Sequence, residues 1–133
     1  TYYLEGTTLY ILGDRGTTKL NNIRANPRVS IGIADPRTSW LSVKGVQITG
    51  QVTLITAGNP GFEEALRIYQ FRESMKENIE EMRKALGKET GKEIPVGKPP
   101  KSLVVIKVES KKIELCEYAL LSQGYDFRQV WEA

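Results

Sequence analysis

The strongest constraint on what this chain folds into is a two-residue hydrophobic period. Val29, Ile31 and Ile33 alternate with Ser30, Gly32 and Ala34, and Val46, Ile48, Val52 and Leu54 repeat the alternation further along. Successive side chains of a strand point to opposite faces, so the pattern predicts half-buried β-strands, the first with one face of small residues. Residues 1–5 and 7–12 are rich in aromatic and β-branched side chains around a turn at Glu5-Gly6, which predicts a β-hairpin. The inward phase moves from Leu41 and Val43 to Val46 and Ile48. A change of parity needs one inserted residue, which places a β-bulge at Lys44-Gly45. Residues 102–109 and 112–119 predict two more strands turned at Ser110-Lys111, the first almost wholly apolar and therefore central.

Two stretches break the two-residue period. Thr17 and Thr18 are candidate caps of a short helix carrying Leu20 and Ile23, stopped by Asn26-Pro27. Asn59-Pro60 predicts a second helix start. Behind it Ile68, Phe71, Met75, Ile79, Met82 and Leu86 step by three or four, the stripe of an amphipathic cover helix with exposed pairs such as Glu63/Arg67. Residues 87–101, rich in Gly, Pro and charge, predict a mobile surface loop. Strands separated by one short and one longer helix indicate a mainly β fold, an antiparallel barrel with appended helices, rather than a doubly wound sheet.

Composition excludes several classes of function. The 133 residues and 40% apolar content suit a single domain with one core. Net charge is only +3, with basic residues interleaved with Glu, so no basic stripe for nucleic acid emerges. The apolar runs, such as residues 103–106, fall far short of the ~20 residues that span a bilayer, so no membrane partner is expected. Cys116 stands alone, which rules out an internal disulfide and fits a reducing, cytoplasmic setting; its simplest role is a buried thiol on a strand. The chain has no His, so its own residues offer neither a His-metal site nor a Ser-His or Cys-His pair. Redox or group-transfer chemistry here calls for a cofactor.

One tetrapeptide has the makings of an anion site. Gly16-Thr17-Thr18-Lys19 falls where a strand ends and a helix begins, so backbone N–H groups, two hydroxyls and an ammonium converge on a phosphate-sized volume. The plainer reading of the same residues is a capped helix with Lys19 in water.

Taken in order, residues 9–12, Gly16-Thr17-Thr18-Lys19, the run Asn26-Pro27-Arg28-Val29-Ser30 and the strand Val46-Gln47-Ile48-Thr49-Gly50-Gln51-Val52 resemble the pyridoxamine-5′-phosphate-oxidase-like, FMN-binding split-barrel family over nearly the whole chain. The resemblance implies an antiparallel split β-barrel. It also implies a homodimer with the cofactor at the subunit interface. By the same resemblance Thr18 and Lys19 bind the FMN phosphate with Thr17 beside them, Leu12 and Gly13 run past the flavin, and Gly45 and Val46 approach it from the partner subunit. Thr18 stands where the family usually has Arg, a loss for which Arg15 is placed to compensate. A strand pair usual in the family upstream of Thr1 is missing, as is its C-terminal Arg-x-His element, which argues against pyridoxamine-phosphate oxidase activity itself. The implied function is an FMN-dependent oxidoreductase of unknown substrate. The alternatives are a reductase using the deazaflavin F420, or a non-catalytic flavin-binding module. Trp40 could flank a flavin ring or pack at a barrel edge, and Trp131 reads as a docking anchor in a C-terminal apolar patch.

Overall fold

The structure, a computed structural model, describes residues 2–35, 44–82, 99 and 101–133. In chain order it contains β1 (Tyr2–Glu5), β2 (Thr8–Asp14), α1 (Thr18–Ala25), β3 (Arg28–Ala34), β4 (Lys44–Thr56), α2 (Phe62–Tyr69), α3 (Phe71–Met82), β5 (Leu103–Glu117), a 3-10 helix (Tyr118–Gln123) and β6 (Arg128–Glu132). The expected mainly β, antiparallel fold with few helices is observed. The chain divides into two units, Thr1–Thr17 with Leu54–Lys107, and Thr18–Thr53 with Val108–Ala133. No described helix is long and apolar enough to cross a membrane.

In the first unit the predicted hairpin forms, with β1 antiparallel to β2 and Tyr3 opposite Tyr10. Gly6 takes the turn at φ +61°, a left-handed conformation that costs glycine little. Strand order here is β1-β2-β5. One face of the hairpin carries Tyr3, Tyr10 and Leu12, and α2 covers it with Phe62, Ala65, Leu66 and Tyr69, joined by Val105 of β5 and Phe71 of α3. Tyr3 and Tyr69 meet edge to face at 4.9 Å, a favoured geometry for aromatic quadrupoles.

The single cover helix expected from the apolar stripe is broken. Gln70 is left-handed at φ 58°, and its N–H donates to the carbonyls of Arg67 and Leu66, ending α2 before α3 begins. Ile68, Phe71 and Met75 nevertheless pack on the core as the stripe predicts. Asn59 does not cap the helix. Its side-chain oxygen accepts from the Thr56 N–H at 2.8 Å and the Thr56 hydroxyl at 3.1 Å, closing the turn after β4, and α2 starts beyond it. The predicted Glu63/Arg67 pair is replaced by a bidentate Glu64–Arg67 pair. The expected start of a strand at Trp40, the phase of Leu41 and Val43, Leu86 and most of the predicted 87–101 loop lie outside the described residues.

In the second unit the order is β5-β4-β3, with β6 on β5. The β3–β4 ladder runs unbroken from Arg28↔Gln51 to Ala34↔Gly45, so the bulge expected at Lys44-Gly45 is absent opposite β3. The Asp35 N–H donates to the Lys44 carbonyl at 3.3 Å, continuing the same register. Ile48, Gly50 and Val52 are buried as the alternation predicts. The Ser110-Lys111 turn is also absent, since β5 passes straight through it. Ser-Lys carries none of the Gly, Pro, Asn or Asp that favour a reversal, and Ser110 is buried within the strand. Its hydroxyl has no hydrogen-bond partner among the described residues.

Gly50 is required by close approach. A Cβ at this position would lie 2.5 Å from the Glu109 carbonyl oxygen and 2.9 Å from Val108 Cγ1. The first of these neighbours is backbone and cannot swing away. Gly50→Ala is expected to lower stability by about 1–3 kcal/mol, the usual cost of overpacking. Gly32→Ala, whose Cβ would meet nothing within 4 Å, should leave stability unchanged or slightly raised. Urea midpoints of the two variants check the contrast, and equal midpoints would contradict it.

Candidate functional site

The segment before α1 is organised by one carboxylate. Asp14 Oδ1 accepts the Gly16 N–H at 3.1 Å, and Asp14 Oδ2 accepts the Ser102 hydroxyl at 3.0 Å. The Asp14 carbonyl accepts the Thr17 N–H at 3.2 Å and the Thr17 hydroxyl at 3.0 Å. The Arg15 N–H donates to the Ser102 carbonyl at 2.8 Å. Three donors counted on for an anion, the Gly16 and Thr17 amides and the Thr17 hydroxyl, are therefore engaged within the loop. The sequence reading missed Asp14 and Ser102, although Asp two residues before Gly is a common signal for an Asx-type turn.

Thr18 and Lys19 form the first turn of α1, and both are exposed. The amides of a first helical turn lack intrahelical acceptors. No acidic residue stands in that turn to satisfy or neutralise it. The Thr18 hydroxyl and the Lys19 ammonium are thus the side-chain donors that fit a phosphate, and they are fewer than the tetrapeptide suggested. Leu12 and Gly13 lie on β2, half-buried, with Leu12 against the core of the first unit.

Gly45 and Val46 lie on β4 in the second unit and share an open groove of about 260 Å³. The ladder sets Gly32 opposite Gln47 and Ala34 opposite Gly45, so three small residues make one flat floor. Gln47 reaches along it to donate from Nε2 to the Ser30 hydroxyl at 3.0 Å. Glu114 and Cys116 of β5 also line the groove, and the Cys116 thiol is half-buried rather than enclosed as expected. The small-residue face of β3 was legible in the alternation. Glu114 was not, because nothing in the sequence separates it from other surface acids.

Glu114 is the most strongly held group of the groove. Arg128 of β6 donates to its Oε1, and Lys112 Nζ lies 3.0 Å from the same oxygen. Hydrogen bonding from Arg128, then from Lys112, holds the Glu114 carboxyl below its ordinary range. A larger concavity, about 520 Å³, lies at the α2–α3 elbow of the first unit between Glu63, Arg67, Gln70, Arg72 and Glu73. Its charges are of both signs and Arg67 is already paired with Glu64, so no single ligand chemistry is selected. Among the described residues no group of three His, Cys, Asp or Glu side chains could hold a metal ion. Trp131 is exposed on β6, and Trp40 lies outside the described residues.

The sequence model of the pyridoxamine 5′-phosphate oxidase family matches residues 1–116. A search of curated proteins found no match. Among solved structures, the chain is similar to a pyridoxamine 5′-phosphate oxidase-related, FMN binding protein from Nostoc punctiforme, with TM-score 0.62 and 18% identity over 97% of this chain and 66% of that one. It is similar to a heme binding protein from Mycobacterium smegmatis, with TM-score 0.60 and 14% identity over 99% and 45%. It is also similar to Campylobacter jejuni ChuZ, with TM-score 0.60 and 17% identity over 98% and 46%. At such identities the likeness shows the fold, an antiparallel split β-barrel. The chain spans less than two thirds of the length of these structures.

The hold on Glu114 fixes a pH dependence. A carboxylate whose folded pKa is depressed stabilises the fold above its unfolded pKa, and that contribution is lost as pH falls through the folded value. The ordinary glutamate value is about 4.5, so the window opens below about pH 4.5. Denaturation of wild type and Glu114→Gln across that range should show wild type losing more stability on acidification, with the gap between them narrowing. Added salt should shrink the gap at neutral pH. Parallel acid limbs would count against the interaction.

Proposed function

Because the chain belongs to the pyridoxamine 5′-phosphate oxidase family, we propose that it is a flavoprotein that binds FMN and acts as an oxidoreductase, as a homodimer with the cofactor at the subunit interface. The observation that carries this reading is the family match over residues 1–116, supported by the exposed Thr18 and Lys19 on the first turn of α1. The Nostoc punctiforme structure, an FMN binding protein of the same fold, points the same way.

Thr18 and Lys19 hold the phosphate in this reading. Lys19 supplies a charge-assisted hydrogen bond and the first-turn amides supply a favourable dipole end. By family resemblance alone, Leu12, Gly13 and Thr17, with Gly45 and Val46 contributed from the partner subunit, are proposed as further cofactor contacts. The bound isoalloxazine supplies the electron or hydride transfer, and the protein supplies anchoring and shape. Asp14 has a separate task, tying the loop to Ser102 within the first unit.

Lys19→Ala tests the reading. Removing a charged hydrogen-bond donor costs ~1.5–3 kcal/mol, so FMN affinity should fall roughly 10- to 150-fold at 25 °C. Riboflavin, which lacks the phosphate, should bind wild type more weakly than FMN does and lose much less on the same substitution. Calorimetric titration of both ligands into both proteins at fixed salt gives the comparison. Equal losses for the two ligands, or none, would remove Lys19 from the phosphate site. The absorbance of whatever molecule leaves the denatured protein separates FMN, with its two visible bands, from F420, with one.

A further inference from the structure

Two aromatic residues of the first unit are buried on one core although they stand only two places apart in the chain. Tyr69 ends α2 and Phe71 begins α3, and they are 4% and 6% exposed within the same cluster as Tyr10, Leu66 and Val105. An α-helix turns about 100° per residue, so in one unbroken helix the side chains at 69 and 71 stand about 200° apart. A straight helix can bury one of them and not the other.

The bend at Gln70 is what buries both. Its backbone lies at φ 58° and ψ 46°, the left-handed region, which costs a residue with a Cβ free energy that glycine does not lose. Among the described residues it is the only non-glycine at positive φ. Its N–H donates to the carbonyls of Leu66 and Arg67, and its carbonyl accepts the Ser74 N–H at 3.0 Å, so a single residue closes α2 and opens α3. The Ser74 side chain also hydrogen-bonds Tyr69 across the joint. Against these holds stands the local chemistry of the segment. Residues 62–82 contain neither Gly nor Pro, and a helix continued through residue 70 would bond the amides of 71–73 to the carbonyls of 67–69.

We propose that Gln70 is a two-state joint. One state is bent, as here, with Phe71 in the core; the other is straight, with residues 62–82 as one α-helix, Gln70 right-handed and Phe71 withdrawn to the surface. Phe71 is the latch, because its burial is what the straight form gives up, while relief of the left-handed backbone and the added helix bonds favour release. The exchange changes the surface of the unit. The concavity of about 520 Å³ at the elbow has walls from both helices, Glu63 and Arg67 on α2 and Arg72 and Glu73 on α3. Straightening parts these walls and presents an aromatic side chain in their place, so a molecule seated in the elbow would hold the joint bent.

The joint lies within the first unit and involves no flavin, so it is tested on cofactor-free full chain by NMR. The three-bond coupling between HN and Hα of residue 70 distinguishes left-handed from right-handed backbone, and relaxation dispersion at residues 70–74 reports exchange between the two forms. Wild type should be left-handed at Gln70 with microsecond-to-millisecond exchange at 70–74. Gln70→Gly, which removes the left-handed cost and weakens a helix through this position, should lower the straight population roughly 10-fold or more and quench that exchange. Phe71→Ala, which removes the latch, should make the straight form the major one, with residue 70 right-handed and helical circular dichroism increased. A simple core cavity would lower stability and leave residue 70 left-handed. If Phe71→Ala does not fold, the comparison of wild type with Gln70→Gly decides. Absence of exchange in wild type, exchange that Gln70→Gly leaves unchanged, or a folded Phe71→Ala with residue 70 still left-handed would overturn the proposal.

Discussion

Gly50 and the Glu109 carbonyl occupy the same small space, and much of the second unit follows from it. The oxygen lies 2.5 Å from where a Cβ would stand, so β4 must present a glycine there, facing inward. A strand has a side-chain period of two. Fixing residue 50 inward fixes Ile48 and Val52 inward with it and turns Gly45 and Gln47 to the opposite face. The unbroken ladder carries that phase to β3, so Gly32 and Ala34 lie opposite Gln47 and Gly45. The floor of the groove is thus a consequence of a core constraint several residues away. A slip of one residue would put Ile48 in the groove and the small residues in the core.

How legible the structure was in the sequence depended on the range of the interaction responsible. The hairpin of β1 and β2, the buried phase of Ile48 and Val52 and the end of α1 rest on neighbours in sequence, and pattern alone predicted them. The errors share a different cause. A bulge at Lys44-Gly45 was inferred from apolar residues on either side, yet the ladder opposite β3 is regular. Ser110-Lys111 has the polarity of a turn, yet β5 buries Ser110 and continues. Asn59-Pro60 has the form of a helix start, yet the Asn59 side chain closes on Thr56. In each case local chemistry allowed two outcomes and a partner strand or an adjoining turn chose between them. The break at Gln70 had no signal at all, since glutamine is an unusual residue at positive φ.

The candidate phosphate segment shows the same division. Its residue types suggested convergent donors, and the hydrogen bonds show that donors near a helix start are contested. Asp14 takes the Gly16 amide with its carboxylate and the Thr17 amide and hydroxyl with its carbonyl. A carboxylate on a loop amide satisfies that amide and also adds negative charge to the loop, so it works against an incoming anion there. The ammonium of Lys19 and the hydroxyl of Thr18 stand outside this arrangement. That is the physical reason to place the weight of anion recognition on them rather than on the tetrapeptide as a whole, and it follows from bonds that composition could not reveal.

Glu114 connects two features that are otherwise separate. Its side chain lines the groove of the second unit, and the same carboxylate holds Arg128, the first residue of β6. The Arg128 amide in turn is covered by the Asp126 carboxylate. One acid therefore sets the charge of a groove wall and holds the first side chain of β6 together. Neutralising it weakens both holds at once, because Lys112 and Arg128 share the oxygen Oε1. The β5–β6 ladder continues on backbone bonds alone, from the Phe127 carbonyl at one end to the Ala133 amide at the other. Strand pairing is thus independent of Glu114, while the side-chain charge presented along the edge is not. That separation makes the shape of the edge a property of the backbone and its electrostatic character a property of a single carboxylate in the groove.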